Sequence, residues 1–217
     1  MPKIAASVLN ADFSKWKQWL PELESAKVDR IQFDIMDGKY VHNAGVDKKH
    51  IRTLRPETKL LFESHLMVRN PEAYVREFAE IGNTLLIFHV ETTKAPLRLI
   101  ETIVDHGMKA GIAINNKNPA KEILPYLGHA DLALVMSVEA GLGGQEFNPK
   151  ALEKISAIRK KIDADGALCE IEVDGGINAG TAKKCVQAGA NILVAGTFLF
   201  RHPKGVKAAV KELQEAP

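Results

Sequence analysis

A (β/α)8 barrel of the TIM type is the fold class this sequence predicts, on three observations. Short apolar or β-branched runs recur eight times along the chain. Each is followed by an amphipathic, helix-like segment. The 217 residues that hold them fall near the short end of the range for eight βα units closed into one barrel. A doubly wound open sheet is the runner-up, but even spacing without a long interruption favours closure. No linker or low-complexity segment divides the chain, so a single domain over residues 1–217 is expected.

The strand-like pieces are Lys3–Leu9, Arg30–Asp34, Lys59–Leu66, Thr84–Val90, Lys109–Ile114, Leu132–Met136, Cys169–Val173 and Ile192–Ala195. In the first helix-like piece, Phe13–Ala26, the apolar Phe13, Trp16, Leu20 and Leu23 recur at helical spacing, with Asp12 placed to cap it. A short helix covers about Lys48–Leu54. Pro71, Pro96, Pro119 and Pro149 each stand where a first helical turn tolerates a missing N–H. Thr181–Ala188 and Lys204–Gln214 complete the set, and Gly82, Gly107 and Gly189 stand where helices should end.

Composition narrows the function classes. With 29 basic and 27 acidic residues the net charge is +2, which argues against nucleic acid or an anionic membrane as the main partner. The longest apolar runs, such as Thr84–Val90, are far below the roughly 20 residues of a membrane span. Met1-Pro2-Lys3-Ile4 runs directly into a strand, so no signal peptide is expected. Cys169 and Cys185 have neither metal-ligand nor disulfide spacing and read as buried structural thiols, in keeping with a reducing cytoplasm.

In a barrel of this kind, chemistry lies at the C-terminal ends of the strands. The second strand runs out through Gln32-Phe33-Asp34-Ile35-Met36-Asp37-Gly38. Alternation puts Gln32, Asp34 and Met36 on one face and the apolar Phe33 and Ile35 on the other. A carboxylate on a buried face needs a partner, a metal or a chemical task. Other strand ends carry Ser7, Glu63-Ser64-His65-Leu66-Met67, His89 with Glu91, Met136-Ser137, and Glu172-Val173-Asp174. Of these polar residues Asp34, His65 and Asp174 are the sharpest candidates, each a metal-ligand or acid/base type. A solvated Asp34, a hydrogen-bonded core His65 and a turn-forming Asp174 are the structural alternatives.

Glycines form a second cluster: Gly141-Leu142-Gly143-Gly144 after strand 6, Gly175-Gly176 after strand 7, and Gly196 with Thr197 after strand 8. Backbone N–H groups exposed at glycine can close on phosphate oxygens, and the late loops are the usual phosphate site of this fold. Met36, Met67 and Met136 stand at strand ends, where they either fill core or line a water-poor lid.

Together these segments resemble the ribulose-phosphate 3-epimerase family, from Ile4 to about Phe200. The resemblance is carried by Ala6-Ser7-Val8-Leu9-Asn10-Ala11-Asp12-Phe13, Asp34-Ile35-Met36-Asp37-Gly38, Ser64-His65-Leu66-Met67-Val68-Arg69-Asn70-Pro71, Met136-Ser137-Val138-Glu139, Gly141-Leu142-Gly143-Gly144-Gln145 and Glu172-Val173-Asp174-Gly175-Gly176-Ile177-Asn178. It implies a ribulose-phosphate-binding barrel that acts as a homo-oligomer, a dimer or hexamer. That enzyme would invert C3 of a phosphorylated ketose with a divalent metal: manganese, iron, magnesium or zinc. By the same resemblance Asp34 and Asp174 are the catalytic carboxylates and, with His65, the metal ligands. Ser7 and His65 meet the substrate. Gly141, Leu142, Gly143, Gly144, Gly175, Gly176, Ile177, Gly196 and Thr197 bind phosphate, and Met36, Met67 and Met136 form an apolar cap.

The departures cluster at the mouth. Gln32 stands where the family carries a metal-binding histidine. An amide oxygen is a harder, weaker ligand than imidazole, so a site of Asp34, His65 and Asp174, with Gln32 as a further candidate, should favour manganese or magnesium over zinc. His42 stands where a proline is usual, and Glu139-Ala140-Gly141-Leu142 lacks the family's proline and phenylalanine. Two other readings compete with the epimerase. One is another phosphosugar lyase or isomerase on the same fold: a decarboxylase would want a lysine beside the strand 2 carboxylate, a spacing Lys39 does not fit, and a Schiff-base aldolase would want a strand-end lysine, which no strand supplies. A non-catalytic or metal-poor phosphosugar-binding barrel is supported by Gln32 and opposed by the retention of both Asp34 and Asp174.

Overall fold

The structure, a computed structural model, describes residues 1–216. Eight parallel strands form in chain order: β1 (Lys3–Ser7), β2 (Arg30–Met36), β3 (Leu61–Met67), β4 (Leu85–His89), β5 (Lys109–Ile114), β6 (Leu132–Met136), β7 (Glu170–Asp174) and β8 (Ile192–Ala195). Each pairs with the next, and β8 pairs back onto β1, closing the barrel. The helices are α1 (Trp16–Ala26), α2 (Lys48–Leu54), α3 (Val75–Ile81), α4 (Pro96–Asp105), α5 (Lys150–Asp165), α6 (Ala179–Ala188), α7 (Thr197–Phe200) and α8 (Val206–Glu215). The open-sheet alternative is thereby excluded.

The outer layer follows the periodicity of the sequence. α1 buries Trp19, Leu20, Leu23 and Ala26; α4 buries Leu99, Ile100 and Ile103; α5 buries Ala151, Ile155, Ile158 and Ile162. These stripes pack on the outward-facing strand residues, among them Ile31, Phe33, Phe62, Phe88, Ile112, Val135, Ile171 and Val173. Both cysteines are buried thiols. Asp12 caps a single 3-10 turn, Phe13–Lys15, that precedes α1, rather than the helix itself. Gly82 and Gly189 end α3 and α6 in the left-handed conformation, while Gly107 lies two residues beyond the end of α4, after His106.

The segment after β5 departs from expectation. Pro119 opens no α-helix; two 3-10 turns, Ala120–Glu122 and Leu124–Tyr126, occupy the place. Pro125 explains the interruption, because it has no N–H to continue a helical ladder. Ile123 and Leu127 still reach the core.

The inside of the barrel is divided. One side is aliphatic, a cluster of Ala5, Leu85, Ile87, Ala113, Leu132, Leu134, Ile192 and Val194. A Cβ at Gly111 would lie 2.7 Å from Ile87 Cγ1, so glycine keeps that cluster closed around Ile87. The other side is polar. Arg30, Gln32 and Asp34 follow one another at two-residue spacing on β2, as do Glu63 and His65 on β3 and Glu172 and Asp174 on β7. Below the mouth, Arg30 Nη1 meets Glu63 Oε2 at 3.0 Å and Glu172 Oε2 at 3.8 Å, and Arg30 Nη2 meets Glu170 at 3.7 Å. Burial pushes the Glu63 carboxyl up to about 7 against the pull of Arg30. Burial and the nearby Glu63 push Glu172 well above the ordinary range. Among the described residues no helix is long and apolar enough to cross a membrane.

Candidate active site

The register of the barrel decides which residues meet at its mouth. Asp34 of β2 pairs with His65 of β3, and Met136 of β6 with Asp174 of β7. Ser7 Oγ donates to Asp34 Oδ2 at 3.1 Å. His65 Nδ1 lies 3.0 Å from Asp34 Oδ1. Gln32 Nε2 bridges the two carboxylates, donating to Asp34 Oδ1 at 3.2 Å and to Asp174 Oδ2 at 2.9 Å. Desolvation and the adjacent Asp34 carboxylate push Asp174 up to about 6.

A cavity of about 580 Å3 opens above this group, well within the range of small-molecule sites. Ser7, Asp34, Met67, Met136 and Asp174 stand on its walls. Gly141, Leu142, Gly143, Gly144, Gly175, Gly176, Ile177, Gly196 and Thr197 line it as well, so the three late loops converge on one side. Gly176 has φ +60 and a Cβ there would lie 2.4 Å from Phe147 N, so the close approach of these two loops requires glycine. Three of the residues expected in the site lie outside the cavity lining. Met36, the last residue of β2, is half-buried at the rim. Gln32 and His65 are fully buried: Gln32 meets the cavity-lining Asp34 and Asp174, and His65 meets Asp34. His42 is exposed.

Asp34, His65 and Asp174 each offer a donor atom, all within 4.8 Å of one another. Two carboxylate oxygens and an imidazole nitrogen suit a divalent cation. On Gln32 the Nε2 donates to both carboxylates, while Oε1 is buried and accepts no hydrogen bond. Half a turn of the amide would bring that orphaned oxygen into the place of Nε2, facing a cation held by the carboxylates. The residues present therefore fit the group.

Around this set lies a network that strand-end reading exposes only in part. His65 Nε2 is 2.8 Å from His89 Nε2. On its far side His89 Nδ1 meets Tyr40 Oη at 3.1 Å and Glu91 Oε1 at 3.3 Å. Tyr40 comes from the loop after β2 and carries no local signal of its role. That loop is held by Asp37, whose Oδ1 accepts from Lys39 N at 2.8 Å and Tyr40 N at 2.9 Å, and whose Oδ2 accepts from Arg69 N at 2.8 Å. Against its burial, those three N–H groups hold the Asp37 carboxyl below the ordinary range. Arg30 escaped the sequence reading because it begins its strand, although alternation back from Asp34 would have found it.

The profile of the ribulose-phosphate 3 epimerase family matches residues 3–200. This chain belongs to the ribulose-phosphate 3-epimerase family. Among the family's members, the ribulose-phosphate 3-epimerase of Methanocaldococcus jannaschii is 41% identical over 219 residues, covering 100% of this chain and 91% of the relative. That of Bacillus subtilis is 36% identical over 209 residues, covering 96% of both. Solved structures agree at the level of fold. A KGPDC from Streptococcus mutans superposes with a TM-score of 0.75 at 14% identity, over 99% of this chain and 96% of the other. A 3-hexulose-6-phosphate synthase does so with a TM-score of 0.73 at 15% identity, over 100% and 99%.

Proposed function

We propose that this chain inverts C3 of a pentulose phosphate, interconverting D-ribulose 5-phosphate and D-xylulose 5-phosphate. Family membership supports the reaction class. The observation that carries the mechanism is the carboxylate pair Asp34 and Asp174, reaching one cavity from strands β2 and β7 and linked through one Gln32 amide. Inversion beside a ketone removes a proton from one face and returns one to the other, which two carboxylates can do as base and acid. Asp174, the other carboxylate on the cavity wall, serves as the acid in one direction. Ser7 orients Asp34 for abstraction.

A divalent cation held by Asp34, His65 and Asp174 would supply positive charge for the enediolate between the two steps. Met67 and Met136 exclude water from the reacting carbon. The backbone N–H groups around Gly144, Gly176 and Gly196 support binding of the phosphate at the far side of the cavity.

The test is incubation with D-ribulose 5-phosphate in deuterated water, beside ketose phosphates of four to seven carbons, with metal analysis of the purified protein. Deuterium at C3 together with xylulose 5-phosphate is expected. Absence of exchange with every ketose phosphate, with cation supplied, would leave a binding protein and refute the proposal.

A further inference from the structure

The hydrogen bonds beneath Asp34 form one continuous chain: Asp34 Oδ1, His65 Nδ1 (3.0 Å), His65 Nε2 to His89 Nε2 (2.8 Å), then His89 Nδ1 to Tyr40 Oη (3.1 Å) and Glu91 Oε1 (3.3 Å). Its directions can be assigned from donor counts. Tyr40 has one O–H. It lies 2.8 Å from Glu91 Oε1, which as a carboxylate can only accept, so the Tyr40 proton goes to Glu91. The Tyr40 oxygen already accepts from Asn115 Nδ2 at 2.9 Å and has room for one more donor. His89 Nδ1 faces that oxygen and the same carboxylate, two acceptors, so it must carry the proton.

The remaining steps follow. A neutral His89 with its proton on Nδ1 presents a bare Nε2. His65 Nε2 must then donate to it, which leaves His65 Nδ1 as a lone pair directed at Asp34 Oδ1. A histidine that ligates a cation is neutral, and two neutral imidazoles bring only two protons to a chain of three gaps that ends in two carboxylates. One gap is therefore short of a positive centre. The outer gap is closed by His89 and the middle one by His65, so the deficit falls at Asp34, where the ligand atoms of Asp34, His65 and Asp174 converge.

We infer that Glu91, acting through Tyr40 and His89, is a positioning residue that sets the tautomer of His65 and so presents its Nδ1 lone pair to the cation site. Nothing in this chain of bonds beyond Asp34 touches the substrate cavity. Burial and Glu91 keep the Tyr40 phenol well above its ordinary range. Outer partners of this sort commonly fix the ring orientation and tautomer of a ligating histidine.

The inference rests on Asp34, His65 and Asp174 as the cation's ligands, but its main readout needs neither cation nor turnover. Nitrogen-15 NMR of the histidine rings in the chelated protein reports which nitrogen bears the proton. The wild type should show His89 protonated at Nδ1 and His65 at Nε2. In Glu91→Ala the Tyr40 O–H loses its acceptor and turns to His89 Nδ1. The chain then reverses, giving His89 protonated at Nε2 and His65 at Nδ1. Manganese affinity of that variant, measured by titration, should fall about 10- to 100-fold. Glu91→Gln can keep an oxygen in the place of Oε1 and should retain both wild-type tautomers. A wild type with a proton on His65 Nδ1, whether alone or together with one on Nε2, would overturn the inference, as would unchanged tautomers in folded Glu91→Ala. Wild-type tautomers as assigned, in a protein without epimerase activity, would uphold the positioning role and sink the functional reading instead.

Discussion

Arg30 is, among the described residues, the only cation in salt-bridge contact with Glu63 and Glu172 inside the barrel. Replacing it with Met keeps much of the side-chain volume and removes the charge. Glu63 has an ordinary value of 4.5 and stands at about 7 in the folded protein. A raised acid binds its proton more tightly folded than unfolded. Its contribution to stability is thus fully present below about 4.5 and is lost as pH rises through about 7. Without Arg30 the folded value moves higher still, and the loss continues beyond pH 7. Each further pH unit costs about 1.4 kcal/mol for one carboxyl, so between pH 7 and pH 9 Arg30→Met should lose up to about 3 kcal/mol more than the wild type. At pH 6 Glu63 is protonated in both proteins, and this part of the difference vanishes. For a chain of this size, about 3 kcal/mol corresponds to a fall of about 6–12 °C in Tm. Thermal unfolding followed by circular dichroism at pH 6 and pH 9 measures it directly. Arg30→Met/Glu63→Gln should recover most of the extra loss at pH 9. A Tm deficit equal at both pH values, or one that the second substitution leaves intact, would refute the picture of a carboxyl held up by burial and restrained by Arg30.

Other substitutions test the mouth of the barrel. Asp34→Asn and Asp174→Asn should each cut C3 proton exchange by about 10²–10⁴-fold or more, while circular dichroism shows an unchanged fold; near-full turnover in either would end the two-carboxylate mechanism. Gln32→His should tighten zinc relative to manganese, read by competitive metal titration, because an imidazole nitrogen replaces an amide; equal preference in both proteins would show that position 32 does not face the cation. Gly176→Val places a Cβ within 2.4 Å of Phe147 N at a left-handed φ, so it should raise KM for the phosphorylated ketose at least about tenfold while the apolar core melts cooperatively as before. Unchanged KM would remove that loop from phosphate binding.

Much of this protein is written locally. Residues at two- and 3.6-residue spacing define eight βα units, because burying one face of each strand and helix is a local requirement. The strand-end rule then singles out Asp34, His65 and Asp174 before any contact is known, and the glycines of three late loops mark where backbone approaches backbone. Where local punctuation conflicts, the reading fails: Pro119 signals a helix start, and Pro125 six residues later breaks it into turns. What only the tertiary structure decides is who meets whom. Closure and register bring Gln32 to Asp174 across 142 positions, set Asp34 beside His65, and stack Arg30 under both among Glu63 and Glu172. The Tyr40–Glu91–His89 network joins a loop after β2 to the end of β4, and no spacing in the chain connects them. Periodicity records which face of an element is buried, but the partner of a buried polar group is chosen by the shear and closure of the whole barrel, a property no single segment carries.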